Sequence, residues 1–100
     1  MTIDTIYQDY IESKSILLAK HTVKSYISAY DNHILPIFGH REINTLNYID
    51  YQKFANNLLV SGKKPKTVQN ILRVISGVYH FAIKNQWYEG EIYSDLVDLP

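Results

Sequence analysis

The chain contains no cysteine. That excludes a disulfide framework, thiolate chemistry and any metal site built on thiolates. Glycine and proline are scarce, at four and three residues in one hundred, so long stretches lack the residues that interrupt helices. Long apolar runs are missing as well. Ile16-Leu17-Leu18-Ala19 is among the longest, far short of the roughly 20 residues a membrane helix needs. The first residues, Met1-Thr2-Ile3-Asp4, are acidic and carry no apolar core of a secretory signal. With neither span nor signal, the expected setting is the cytoplasm. Net charge is also missing, since ten Lys and Arg balance ten Asp and Glu. What is present is 46% hydrophobic and 20% charged residues, the mix of one folded domain with one core.

The zero net charge hides a segregation. All ten basic residues lie between Lys14 and Lys84, where only Asp31, Glu42 and Asp50 oppose them, a surplus of seven positive charges. The flanks hold Asp4, Asp9, Glu12, Glu89, Glu91, Asp95 and Asp98 and no basic residue. All four histidines, at 21, 33, 40 and 80, also fall inside the basic window. Fields decay within about 8–10 Å at cellular salt, so a neutral chain can still present a basic face. Solvated acidic chain ends would give the same string, and charge alone leaves the two open.

Apolar residues recur at helical spacing and no strand competes, which predicts an all-α fold of four helices. The first is expected over Thr5 to Leu18, with Asp4 as its cap and Ile3, Ile6, Tyr7, Tyr10, Ile11 and Leu17 or Leu18 on its inner face. The second is expected from Lys20 or His21 to Leu35, on Val23, Ile27, Tyr30 and Ile34. Pro36 should end it, and Gly39 should then turn the chain with positive φ. The third runs from Tyr48 to Val60, with Asn47 as N-cap and Ser61-Gly62 as a glycine C-cap. The fourth and longest runs from Pro65 to Asn85. Val68, Ile71, Leu72, Ile75, Val78, Tyr79 and Ala82 form its inner stripe, and Lys66, Asn70, Arg73, His80 and Lys84 face outward. Gly77 in that helix costs roughly 1 kcal/mol in propensity unless another backbone packs there. Residues 1–90 make the domain, and 91–100 look like the start of a linker.

Lys20-His21-Thr22-Val23-Lys24-Ser25 echoes Pro65-Lys66-Thr67-Val68-Gln69-Asn70 after a shift of 45 residues. Each opens a helix with basic side chains, and a helix start offers N–H groups and a favourable dipole to an anion. The segment from Ser61 to Thr67 is the densest basic stretch, but Asn57 stands where a Walker A loop requires glycine, which excludes nucleotide binding by that route. Arg73 and Asn70 are side chains that can pair with guanine and adenine edges; an ordinary wet helix face would carry the same residues. The histidines lack the spacings of a metal site. No nucleophile–base or paired-carboxylate arrangement has a recognisable context, so no active site and no cofactor are expected. Most of the nine tyrosines fall on inner stripes and read as core.

The ordered set Thr22-Val23-x-x-Tyr26, His33-Ile34-Leu35-Pro36-x-Phe38-Gly39 and Ile43-x-x-Leu46, continuing through Gly62, Thr67-Val68-x-x-Ile71-Leu72 and Tyr79-x-Phe81-Ala82-x-x-Asn85, resembles the core-binding domain of tyrosine recombinases, the phage-integrase family. The resemblance covers the chain from about Thr5 onward. It implies a compact four-helix SAM-like bundle forming half of a C-shaped clamp on double-stranded DNA. In that family the second and fourth helices address the major groove beside the crossover site. Carried over by position, the implied DNA-binding residues are Lys20, His21, Lys24, Ser25, Lys63, Lys64, Lys66, Thr67, Asn70 and Arg73. The family's catalytic arginines, lysine, histidines and tyrosine nucleophile belong to a separate C-terminal domain. Arg41 and Arg73 are the only arginines here, so the resemblance implies a non-catalytic fragment, monomeric in isolation, of a bacterial or phage-encoded parent. One departure concerns the helix starts. Where the family often has Ser-Pro, this chain has Ala19-Lys20 and Lys64-Pro65, which predicts starts without serine caps. Two alternatives remain: a small helical protein-interaction module with no DNA role, and a helix-turn-helix repressor turning at Ser61–Lys64, for which no dimerising element is evident.

Overall fold

The computed structural model describes all residues from Met1 to Pro100. Helix α1 (Ile3–Leu17) starts earlier than its periodicity suggested, because Thr2 and not Asp4 caps it. Thr2 Oγ1 accepts from the Thr5 N–H at 3.2 Å. Other first-turn donors, which no intrahelical carbonyl can reach, are satisfied by a distant loop. The Ile3 N–H donates to the Arg41 carbonyl at 3.0 Å and the Asp4 N–H to the Gly39 carbonyl at 2.9 Å. The Asp4 side chain is then available to accept from the Tyr30 hydroxyl at 2.6 Å, which ties α1 to the second rod.

That second rod does not stop at Pro36. Helix α2 (Lys20–Ala29) passes through a π-helical turn, Tyr30–Ile34, into the short α3 (Leu35–Phe38). In a regular helix the proline ring would strike the carbonyl four residues back. Here the Leu35 N–H reaches back to Tyr30, a wider turn that accommodates the ring, and Pro36 falls in the first turn of α3. The proline re-aims the helix instead of ending it. Gly39 also departs from expectation. Its φ is −54°, and its role is close approach, since a Cβ there would overlap the Leu35 side chain and lie 2.7 Å from the Leu35 carbonyl oxygen.

Helix α4 (Tyr48–Val60) has the expected bounds. Asn47 and Asp50 form a reciprocal capping box, with the Asn47 N–H donating to Asp50 at 2.9 Å. At the other end Gly62 takes φ +104°. The Lys63 and Gly62 N–H groups return to the Leu58 and Leu59 carbonyls, each at 3.0 Å, the double closure of a Schellman motif.

Helix α5 (Pro65–Lys84) is the central post, touched by α1, α2, α4 and the C-terminal segment. All seven residues of its expected inner stripe are buried. Val74 and Ser76 are buried too, because neighbours cover this helix on more than one side. What packs on Gly77 is the Tyr10 ring and not a backbone: a Cβ would overlap the Tyr10 hydroxyl and lie 2.7 Å from its Cζ. Two expected core positions are surface. Leu17 is 73% exposed in the last turn of α1. Ile27 is exposed on α2, which has no fully buried residue and is anchored through Tyr30 and Ile34 of the turn that follows.

The core is aromatic. Tyr7 stacks on Tyr30, Phe38 packs against Tyr51 and Phe54, and the Tyr51 and Tyr79 hydroxyls meet at 2.6 Å with both residues fully buried. Burial holds these phenols neutral, raising Tyr10 to about 12 and Tyr7, Tyr30, Tyr51 and Tyr79 further. After α5 the chain doubles back. A 3-10 turn, Tyr93–Leu96, lies on α4 and α5, with Ile92, Tyr93, Val97 and Leu99 half-buried against the core. Residues 92–99 therefore fold back onto the bundle.

Candidate nucleic-acid interface

All ten residues singled out from the sequence are exposed. None of their cationic side chains is held by an acid; the ion pairs within 4.0 Å are Met1 amine–Glu42 and His80–Asp95. Three of the ten, Lys63, Lys64 and Lys66, are positioned by the Schellman motif ending α4 and by Pro65, which presets the first turn of α5.

Helices α2 and α5 pack side by side, and their outward faces border a shared groove. One stretch, of about 290 Å³, is lined by Thr22, Ser25, Tyr26, Asn70 and Arg73. The next is lined by Ser25, Ser28, His33, Thr67 and Asn70. Moving from Thr22 to His33 along the second rod therefore means moving from Arg73 back to Thr67 on α5. The two helices run antiparallel here. The structure brings Ser25, Thr67, Asn70 and Arg73 together, and places the start of α2 at one end of the groove and the start of α5 at the other. At 1.5 Å rise per residue, those ends are about 15–20 Å apart.

The two starts are built alike. Lys20 and Pro65, the positions related by the 45-residue echo, are each the first residue of their helix. Each is preceded by an extended residue, Ala19 at ψ 149° and Lys64 at ψ 151°, and neither makes a side-chain cap. The Lys20, His21, Lys66 and Thr67 N–H groups are left without a protein acceptor. Four residues of the groove, Thr22, Tyr26, Ser28 and His33, were not singled out from the sequence. Ser28 lies three residues beyond Ser25, and His33 lies beyond the start of the π turn. Extending the Ser25 stripe at helical period finds the first, while the change of helical pitch hides the second.

No group of three His, Asp or Glu side chains could share a metal ion, and no helix is long and apolar enough to cross a membrane.

The chain is thus an all-helical bundle with a groove between α2 and α5. By sequence the chain belongs to a defined family: the model for the phage integrase N-terminal SAM-like domain matches residues 2–59, more than half of its length. That family is the N-terminal SAM-like part of phage integrases and not their catalytic domain. The match ends within α4, so α5 rests on its geometry. No curated protein and no solved structure matches the chain.

Proposed function

We propose that this domain binds double-stranded DNA through the α2–α5 groove, as the non-catalytic half of a clamp whose other half is the catalytic domain of a tyrosine recombinase. The observation that carries the reading is the antiparallel groove itself. Two uncapped basic helix starts stand about 15–20 Å apart, and the side chains between them, Ser25, Asn70 and Arg73, are those that can address base edges. A B-DNA major groove is about 12 Å wide, so phosphates on its two sides fall within reach of the two starts. Lys20, His21 and Lys24 serve one strand, and Lys63, Lys64, Lys66 and Thr67 the other. Phosphate contacts set position, and Asn70 and Arg73 supply what readout there is.

With half of the clamp, affinity is expected near the non-specific range of about 10⁻⁴–10⁻⁶ M. Contact with about four to six phosphates gives a slope of log affinity against log salt of about −4 to −5. Lys66→Glu with Arg73→Glu is expected to abolish binding to a short duplex while the circular dichroism of the bundle is unchanged. Binding that ignores both salt and this double charge reversal would remove the DNA reading and favour a protein-interaction module.

A further inference from the structure

We propose that the segment Ile92–Leu99 is a releasable acidic strap that competes with a duplex for the Arg73 end of the α2–α5 groove, a proposal that rests on the DNA-binding reading above. The strap lies along the outer face of α5, on the stripe Gln69, Arg73, Ser76 and His80. Its latch is polar. Ser76 Oγ sits 2.7 Å from Ser94 Oγ and donates to Asp95 Oδ1 at 2.6 Å, and the other Asp95 oxygen is 4.0 Å from His80 Nε2. A second clasp joins it to α4: the Asp98 N–H donates to Gln52 Oε1 at 2.9 Å, and Gln52 Nε2 donates to the Asp98 carbonyl at 3.1 Å. Between these clasps a cavity of about 200 Å³ remains, lined by Arg73 together with Asp95, Val97 and Leu99.

Three features make this a latch more than a piece of core. Of the strap's apolar residues Ile92, Tyr93, Val97 and Leu99 are half-buried and Leu96 is exposed, and Ser94 alone in the strap is fully buried. The chain enters it through Gly90, at φ +150°, a conformation glycine adopts freely and other residues resist. Arg73 borders the Asp95 cavity yet forms no ion pair with it, so its charge is available to a phosphate. A phosphate approaching Arg73 from the strap side meets the Asp95 carboxylate across the shared cavity, while the Asp98 carboxylate is turned to the Tyr48 hydroxyl on α4. Docked, the strap weakens the duplex at that end; duplex binding in turn favours its release, since the two couplings are reciprocal.

The absence of cysteine makes the test clean. Ser76→Cys with Ser94→Cys places the chain's only two thiols where hydroxyls now stand 2.7 Å apart, so oxidation locks the strap and reduction frees it within one protein. The locked form is expected to bind a short duplex about twofold more weakly than the reduced form, from the one carboxylate, Asp95, held across the cavity from Arg73. Equal affinity in the two states would overturn the strap and leave DNA binding standing. Binding in neither state would overturn the DNA reading, and the strap with it. Hydrogen exchange gives a second readout on the unaltered chain. The Asp98 and Asp95 amides, which donate to Gln52 and to the Ile92 carbonyl, should exchange faster in saturating duplex, and unchanged or slower exchange overturns the proposal.

Discussion

Tyr51 and Tyr79 bury their rings completely and spend their hydroxyls on each other, 2.6 Å apart. Neither hydroxyl has another hydrogen-bond partner, so each depends on the other for its desolvation to be tolerated. Tyr79→Phe keeps the ring, its edge contact with Tyr51 and its edge contact with Tyr88, and removes only one oxygen. The Tyr51 hydroxyl is then buried alone, which costs about 1–3 kcal/mol. Tyr51→Phe should cost a similar amount, for the mirror reason. The double substitution removes both polar atoms, leaves two phenylalanines of nearly the same shape, and should cost about 1 kcal/mol or less. Urea unfolding followed by circular dichroism reads all four corners of the cycle. In thermal melts each single variant should lose roughly 4–8 °C per kcal/mol for a domain of this size. The distinguishing result is the sign of the coupling: the double variant should be more stable than either single one. If its loss equals the sum of the two single losses, the hydroxyls do not depend on each other and the reasoning is wrong.

Gly77→Ala should destabilise the bundle even though alanine is better by about 1 kcal/mol in a helix, because the new methyl meets the buried Tyr10 ring and overpacking costs about 1–3 kcal/mol; a rise in melting temperature would show that the ring yields freely. Alkali should unfold the chain cooperatively. Tyr7, Tyr10, Tyr30, Tyr51 and Tyr79 all hold their protons above the ordinary value of 10.0 because burial disfavours the phenolate. Their contribution is intact below pH 10 and is lost above it, by up to about 1.4 kcal/mol per pH unit for each tyrosine. Urea midpoints constant from pH 8 to 9.5 and falling steeply by pH 11 are expected, and midpoints flat to pH 11 would contradict the burial argument.

The parts legible in the sequence were those where one local rule acts alone. Asn47 with Asp50, Gly62, Pro65 and the Val68-to-Ala82 stripe fixed α4 and α5 to within a residue, because caps and periodicity agree there. At Pro36 and Gly39 the second rod departs from what the local rules predict. The proline rule assumes α-helical pitch, and the π turn at Tyr30–Ile34 changes that pitch. Likewise α1 begins at Ile3 because carbonyls some forty residues away accept its first N–H groups, a contact no local pattern encodes. The two basic helix starts were legible, but not their arrangement. That the starts oppose each other across one groove, and that Ser28 and His33 line it, follows from the antiparallel packing of α2 on α5. The fold-back of 92–99 was hidden for a related reason: an acidic tail reads as linker until Ser76 and Gln52 are placed beside it.

The distribution of caps bears on the proposed DNA-binding groove. Helix α1 has Thr2 and two loop carbonyls at its start, and α4 has a complete capping box. Only α2 and α5, among the long helices, begin without a side-chain cap. A serine or threonine cap contributes about 1 kcal/mol, so stability alone would favour caps at all four. The two uncapped starts are the two at the ends of the groove, each beside lysines with no acidic partner. Donors left open at a helix start favour an anion, and a cap at either site would occupy an N–H that a phosphate could otherwise accept. The same distribution explains how a chain of zero net charge can still present unpaired basic side chains on one face. Its acids are concentrated toward the ends of the sequence, in α1 and in the tail, and its bases are left unpaired where two helices begin. Adding charge elsewhere on the surface should therefore matter far less than neutralising either of these two ends.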